Sequence, residues 1–215
     1  MEHVIQTIAV YAIPLIFAIT VHEAAHGYAA RFFGDKTAWM LGRCTLNPAR
    51  HIDPMGTIVV PGIMLLGSAL SGMGGMVFGW AKPVPVNFGA LRNPKRDSVW
   101  VAAAGPASNL LQAIVWLMLI KLSIGLGIRE EFVYAVCSAG VSVNLMLMAL
   151  NLIPIPPLDG GRIVMGLLPV RLAWQYSKIE PYGMWILIAL ILSDMLSWFM
   201  RPFLKFGIYV MNLFI

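Results

Sequence analysis

Charge is what this chain has least of. Asp, Glu, Lys and Arg make up 12% of its 215 residues, against 59% hydrophobic, and the mean hydropathy is +0.79. Soluble domains carry about 25% charged and about 45–50% apolar residues. That excludes an ordinary soluble globule and puts the chain in a lipid bilayer. Cysteine is nearly as scarce. Cys44 and Cys137 show neither zinc-finger spacing nor a disulfide framework, so both read as free thiols. Internal repeats and low-complexity tracts are missing too. The start, Met1-Glu2-His3, lacks a basic region ahead of its apolar run, so no cleavable signal peptide is expected. The net charge of +5 is concentrated in short loops, the pattern of cytoplasmic segments, and implies no nucleic-acid partner. The size suits one membrane-embedded domain over residues 1–215, with a core at about 4–165 and a C-terminal helix and tail at about 182–215.

Against that background stands Thr20-Val21-His22-Glu23-Ala24-Ala25-His26-Gly27, which contains an H-E-x-x-H motif. On a helix, His22 and His26 fall at i and i+4 and project from one face. That spacing lets two ring nitrogens reach one zinc at roughly 2.0–2.1 Å. Glu23 lies near the same face, placed to take a proton from a water activated at the metal rather than to bind the metal itself. A plainer reading leaves the two histidines on the helix face without a metal. Residues 4–21 carry no charge at all, however, and polar groups closing a membrane span are costly and call for a functional reason.

The rest of the chain divides into apolar stretches and basic loops. The first span is expected at about 4–30, with Arg31, Lys36, Arg43 and Arg50 following it. That asymmetry puts the N-terminus outside and the 31–53 loop in the cytoplasm. Residues 55–79 are apolar but broken by glycine and proline. Lys82-Pro83-Val84-Pro85-Val86-Asn87 then alternates proline with valine, which forbids a helix and favours an extended edge. A second span at about 98–120 carries small residues for close packing and one polar side chain at depth, Asn109. Asn109 reads equally as an interhelical hydrogen bond or as part of a site. A third span, about 132–153, runs into Asn151-Leu152-Ile153-Pro154-Ile155-Pro156-Pro157-Leu158-Asp159-Gly160-Gly161. Broken backbone at membrane depth is tolerated only where protein buries it or where it lines a wet cavity. The final stretch reads as one span at about 183–200, with Asp194 deep inside it. Arg201-Pro202 would end that span, and an interfacial tail would follow, with a tight hairpin as the alternative.

The expected fold is therefore an all-α integral membrane protein of about four to six transmembrane helices, with a re-entrant, partly extended segment near the site. A catalytic zinc usually takes three protein ligands plus water. Beyond the two histidines, the donors open to that role are Asp159, His51, Asp53 and Cys44. The two ligand regions can meet only if their spans run parallel. One of the two apolar stretches between them must then enter and leave on the same side, and the broken 55–79 stretch is the candidate.

Three segments, in this order and context, resemble the site-2 proteases, a family of intramembrane zinc metalloproteases: His22-Glu23-Ala24-Ala25-His26, Gly105-Pro106-Ala107-Ser108-Asn109, and Asn151 through Leu158-Asp159-Gly160. The likeness runs from about Val4 to Arg162. His51-Ile52-Asp53-Pro54 and the Gly79–Asn87 segment are typical of its minimal bacterial branch, without PDZ or CBS domains. The resemblance implies that His22, His26 and Asp159 bind Zn2+, that Glu23 is the catalytic base and that Asn151 lies close to the substrate. It moves the third-ligand assignment to Asp159. The implied activity is hydrolysis of membrane-embedded substrate helices near the cytoplasmic side of the inner membrane. Such a substrate must unwind, and an extended enzyme segment can hold it by β-augmentation, with Val84 and Val86 as lining residues and Asn109 a further candidate contact. A zinc carrier or channel, or a module that binds substrate without cutting it, would use the same ligands; the carrier gives Glu23 no role beyond coordination.

Overall fold

A computed structural model of the chain describes residues 2–59, 63 and 81–214. Among these the regular structure is helical throughout, without strands. Three helices are long and apolar enough to span a bilayer: α1 (Glu2–Phe32), α3 (Pro94–Gly125) and α4 (Glu131–Asn151). The 31 residues of α1 cover ~46 Å at ~1.5 Å per residue, more than the ~30 Å hydrocarbon core. Its outward side chains, among them Ile5, Ile8, Ile13, Ile16 and Phe17, are exposed. In water that would be a large apolar patch; in lipid it is the solvated surface. The inward positions are small, with Ala18, Ala24 and Ala30 almost wholly buried, which lets neighbouring backbones approach. Pro14 and Pro106 sit inside their helices, as membrane helices permit. A short helix, α2 (Thr37–Met40), follows α1.

Side-chain contacts fix how the helices run. His26 pairs with Val101, while Ala18, two turns earlier, pairs with Asn109, so α1 and α3 are antiparallel. Asn109 meets Asn144 and the Trp116 ring lies against Gly140, so α3 and α4 are antiparallel as well. It follows that α1 and α4 run parallel and finish at the same end of the bundle. The chain after α1 returns to that end before α3 begins. The Arg92 N–H donates to Phe33 O at 2.9 Å, and the Arg92 guanidinium reaches Phe32 O. Residues 33–92 thus start and finish at one point. The stretch expected to be re-entrant, 55–79, lies outside the described residues apart from 55–59 and 63.

Beyond α4 come α5 (Asp159–Leu167), α6 (Val170–Ser177), α7 (Gly183–Leu192) and α8 (Met195–Asn212). Here the sequence expectation needs correcting. The chain does not break at Arg201-Pro202, because α8 runs through Pro202. It breaks at Ser193-Asp194, where Asp194 takes φ +56° and the axis turns by 95°. A short polar side chain tolerates that left-handed backbone better than most. Asp194 is therefore an exposed turn residue rather than one deep in a span. Nor is α8 an interfacial tail. Met200 packs with Ala149 and Ile153 near the end of α4, Gly207 lies against Leu145 and Met148, and Lys121 donates to Phe214 O at 2.6 Å. The helix thus climbs back along α4 to the far end of α3. The bent α6–α8 segment makes a fourth candidate span, the low end of the expected range among the described residues.

This arrangement predicts a labelling pattern. With Cys44 and Cys137 replaced by serine, Arg50→Cys and Lys95→Cys should react with a membrane-impermeant thiol reagent from the same face, and Arg129→Cys from the other. Opposite faces for positions 50 and 95 would contradict the antiparallel order of α1, α3 and α4.

Candidate metal centre

Residues 22 to 26 complete just over one turn of α1, and both imidazoles emerge toward α3. His22 Nε2 and His26 Nε2 lie 3.1 Å apart. Asp159 Oδ2, from the first residue of α5, sits 3.2 Å from the first and 3.3 Å from the second. Three donor atoms so form a nearly equilateral triangle. Four ligands at 2.0–2.1 Å around a tetrahedral zinc would be separated by about 3.3–3.4 Å, and the triangle matches one face of that tetrahedron.

The rings' other nitrogens show what these three atoms are. His22 Nδ1 is 2.7 Å from Asn109 Oδ1, and His26 Nδ1 is 2.8 Å from Val101 O. Both partners are oxygen acceptors; the amide of Asn109 faces that way because its Nδ2 donates to Ala18 O and Asn144 Oδ1. Each Nδ1 therefore carries the ring proton, and each Nε2 of the neutral imidazole presents a lone pair. Asp159 Oδ2 is buried and has no hydrogen-bond donor. Three acceptors converge with no proton among them, an arrangement that calls for a cation. Gly105 keeps room for it: a Cβ there would press into His26 Nε2 and His22 Cε1. Among the described residues, His22, His26 and Asp159 form the one such cluster able to hold a metal.

Asp159 arrives by way of the proline run. α4 ends at Asn151, and Pro154, Pro156 and Pro157 forbid its continuation. The chain folds back so tightly that a Cβ on Gly160 would collide with Leu152 O, and one on Gly161 with the Pro156 backbone. Only glycine fits at either place, and the turn sets Asp159 beside the histidines.

The triangle opens onto a cleft of about 150 Å³ lined by Glu23, Val84, Val86, Asn151 and Arg162, among others. Glu23 Oε2 accepts the Val84 N–H at 2.7 Å, so the carboxylate is held by the extended segment across the cleft. Asn151 faces the cleft and donates Nδ2 to Leu147 O. A larger groove, about 560 Å³ between Pro154 and the Trp198–Lys205 stretch, contains neither histidine nor carboxylate and offers no comparable chemistry.

The other sequence-derived donors stay apart from the triangle. His51 is buried with Nε2 on Thr45 O, Cys44 packs with Ala38 and Val84, and Asp53 accepts the Gly56 N–H. Asn109 requires a correction. Suggested by sequence as a substrate contact, it is fully buried behind His22, and both ends of its amide are engaged. It orients a histidine; it does not face the cleft. Three features escaped the sequence reading. The Val101 contact uses a carbonyl, which every residue has. The clearance at Gly105 is visible only in three dimensions. Asn144, an amide in an apolar run, could have been found by the same signal that singled out Asn109.

These residues can be set beside known proteins. The family model described as Peptidase family M50 matches residues 10–143 and 135–193. The chain is 37% identical over 200 residues to the protein named "Putative zinc metalloprotease YwhC" of Bacillus subtilis, covering 91% of this chain and 85% of that one. Two proteins named "Putative zinc metalloprotease Rip2" are also similar. The Mycobacterium tuberculosis H37Rv protein is 30% identical over 189 residues and the Mycolicibacterium smegmatis one 26% over 192, each match covering 86% of this chain and 67% of the relative. No solved structure matches.

Partners that orient a ligating histidine are worth about 10–100-fold in metal affinity. Asn109→Leu should weaken zinc binding by about that factor in a competition titration with a chromophoric chelator. Unchanged affinity would mean that the Asn109–His22 bond does not set the ligand.

Proposed function

The chain belongs to peptidase family M50, the site-2 protease family of zinc metalloproteases, and from that membership we propose that it hydrolyses peptide bonds in membrane-embedded substrate helices, near the cytoplasmic side. The observation that carries this reading is the shared cleft: the three convergent acceptors and the Glu23 carboxylate face the same small space. His22, His26 and Asp159 would hold the zinc. When bound, zinc supplies a Lewis acid that polarises the scissile carbonyl and acidifies a water nucleophile.

The chain's own groups account for the proton. Glu23 lines the cleft, and with Oε2 occupied by the Val84 N–H, Oε1 is the oxygen left to act as base. Oε1 takes a proton from the attacking water as oxygen bonds to the carbonyl carbon. As the C–N bond breaks, the proton passes to the departing nitrogen. No charge is left over, and the carboxylate returns to its starting state.

A transmembrane substrate is helical, and its carbonyls are bound within the helix. It must unwind to present one. Residues 81–87, which contain no helix, border the cleft through Pro83, Val84 and Val86 and offer an edge for the unwound strand. Asn151 lines the same cleft and would contact the same strand. The basic loops after α1 and before α3 favour a cytoplasmic position for this end of the bundle, with the N-terminus outside and the chain in the inner membrane of a bacterial cell.

The test is cleavage of a tagged transmembrane peptide by the purified protein, with and without a chelator. Glu23→Gln keeps the shape of the side chain but cannot take the proton. It should retain zinc and lose cleavage by at least a thousandfold, within the range expected when metal and base act together. Cutting by Glu23→Gln at near the parent rate would remove Glu23 from the reaction.

A further inference from the structure

The segment Lys82-Pro83-Val84-Pro85-Val86-Asn87 is held with unusual completeness. Its prolines have no N–H, and the residues before them, Lys82 and Val84, are confined to extended backbone. The segment is tied to the stretch that follows α1. The Lys82 N–H donates to His51 O at 2.9 Å. Arg43 Nη2 donates to Lys82 O at 2.9 Å and to Pro83 O at 3.3 Å. Asp35 Oδ2 accepts the Asn87 N–H at 2.7 Å, while its Oδ1 accepts the Thr37 N–H at 2.8 Å. Asp35 is fully buried and Arg43 only 9% exposed. Burial works against ionising Asp35, but the donors from Thr37 and Asn87 outweigh it and keep the carboxyl below the usual carboxylate range. Charge-assisted bonds of this kind are the stronger class of hydrogen bond.

Counting donors isolates one atom. From 83 to 87 the backbone N–H groups belong to Val84, Val86 and Asn87. Val84 donates to Glu23 and Asn87 to Asp35. Among the described residues nothing accepts from Val86 N–H, and Val86 lines the cleft. In extended chain, alternate residues turn their N–H and C=O to the same edge. Val86 therefore shares an edge with Val84, whose N–H meets Glu23.

We propose that Val86 N–H is the donor that receives a carbonyl of the unwound substrate strand, and that Asp35 and Arg43 are positioning residues that hold it in place. This deepens the proteolytic reading and rests on it. The same brace also fixes Val84 N–H, so substrate strand and general base are referred to one rigid element. The two buried ionic groups bond Lys82, Pro83 and Asn87 and leave the Val86 N–H for a ligand.

The test reads binding rather than turnover. In the Glu23→Gln background, a fluorescent transmembrane peptide is titrated against protein in lipid nanodiscs. Val86→Pro deletes the N–H and keeps the backbone extended; Val86→Ala trims the side chain and keeps the N–H. The dissociation constant of Val86→Pro should exceed that of Val86→Ala by about tenfold. Asp35→Asn, which leaves one of two N–H groups without its acceptor, should raise the constant at least threefold over its parent, with zinc content unchanged. Equal affinity for the two Val86 variants overturns the assignment. Should Val86→Pro fail to fold, Asp35→Asn decides alone: affinity equal to its parent overturns the proposal. Wild-type protein that binds this peptide without cutting it would contradict hydrolysis, while the affinity ratios would still judge Val86.

Discussion

Three lone pairs cannot stay 3.1–3.3 Å apart in a buried site unless positive charge lies among them. Each would otherwise be a desolvated acceptor without a donor, costing about 1–3 kcal/mol. Much of the helical core can be traced to that constraint. α1 supplies two acceptors one turn apart. α3 runs antiparallel between α1 and α4, fixes both ring tautomers through Asn109 and Val101, and recedes at Gly105. α4 runs parallel to α1, so the chain leaving it is already at the right end. The proline turn then needs only seven residues, 152–158, to bring Asp159 across.

Irregular backbone is expensive at membrane depth, and here it borders the cleft. The 152–158 turn delivers a carboxylate, and the 81–87 segment presents a backbone edge and a donor to Glu23. Both are places where lipid cannot solvate peptide groups and where protein or a wet cavity must. Arg43, Asp35 and the His51 carbonyl take up backbone groups of Lys82, Pro83 and Asn87, and among the described residues the Val86 N–H beside the cleft has no acceptor.

The candidate site was legible in the sequence where side-chain type and short spacing determine it. His22, Glu23 and His26 are fixed by one helical turn, and the cluster that contains Asp159 is the one the family likeness implied. Composition and apolar runs likewise located α1, α3 and α4 within a few residues. The failures have physical causes. Asn109 was ambiguous because an amide in a membrane helix can serve a neighbour or a ligand, and only its depth behind His22 decides. The C-terminal break was misplaced because proline is a weaker helix breaker in lipid than in water, whereas the Asp194 turn carries no strong sequence signal. Asp35 was overlooked because the partner that ties it to the cleft segment, the Asn87 N–H, lies 52 residues away, invisible to any local pattern.

The central claim is that two imidazole nitrogens and one carboxylate oxygen hold the zinc. X-ray absorption at the zinc edge of the purified, membrane-reconstituted protein addresses it directly. The account predicts only nitrogen and oxygen neighbours at about 2.0–2.1 Å, two of them with the outer-shell scattering of imidazole. A sulfur neighbour at about 2.3 Å, which would bring Cys44 or Cys137 to the metal, or a shell with fewer than two imidazoles, would contradict it.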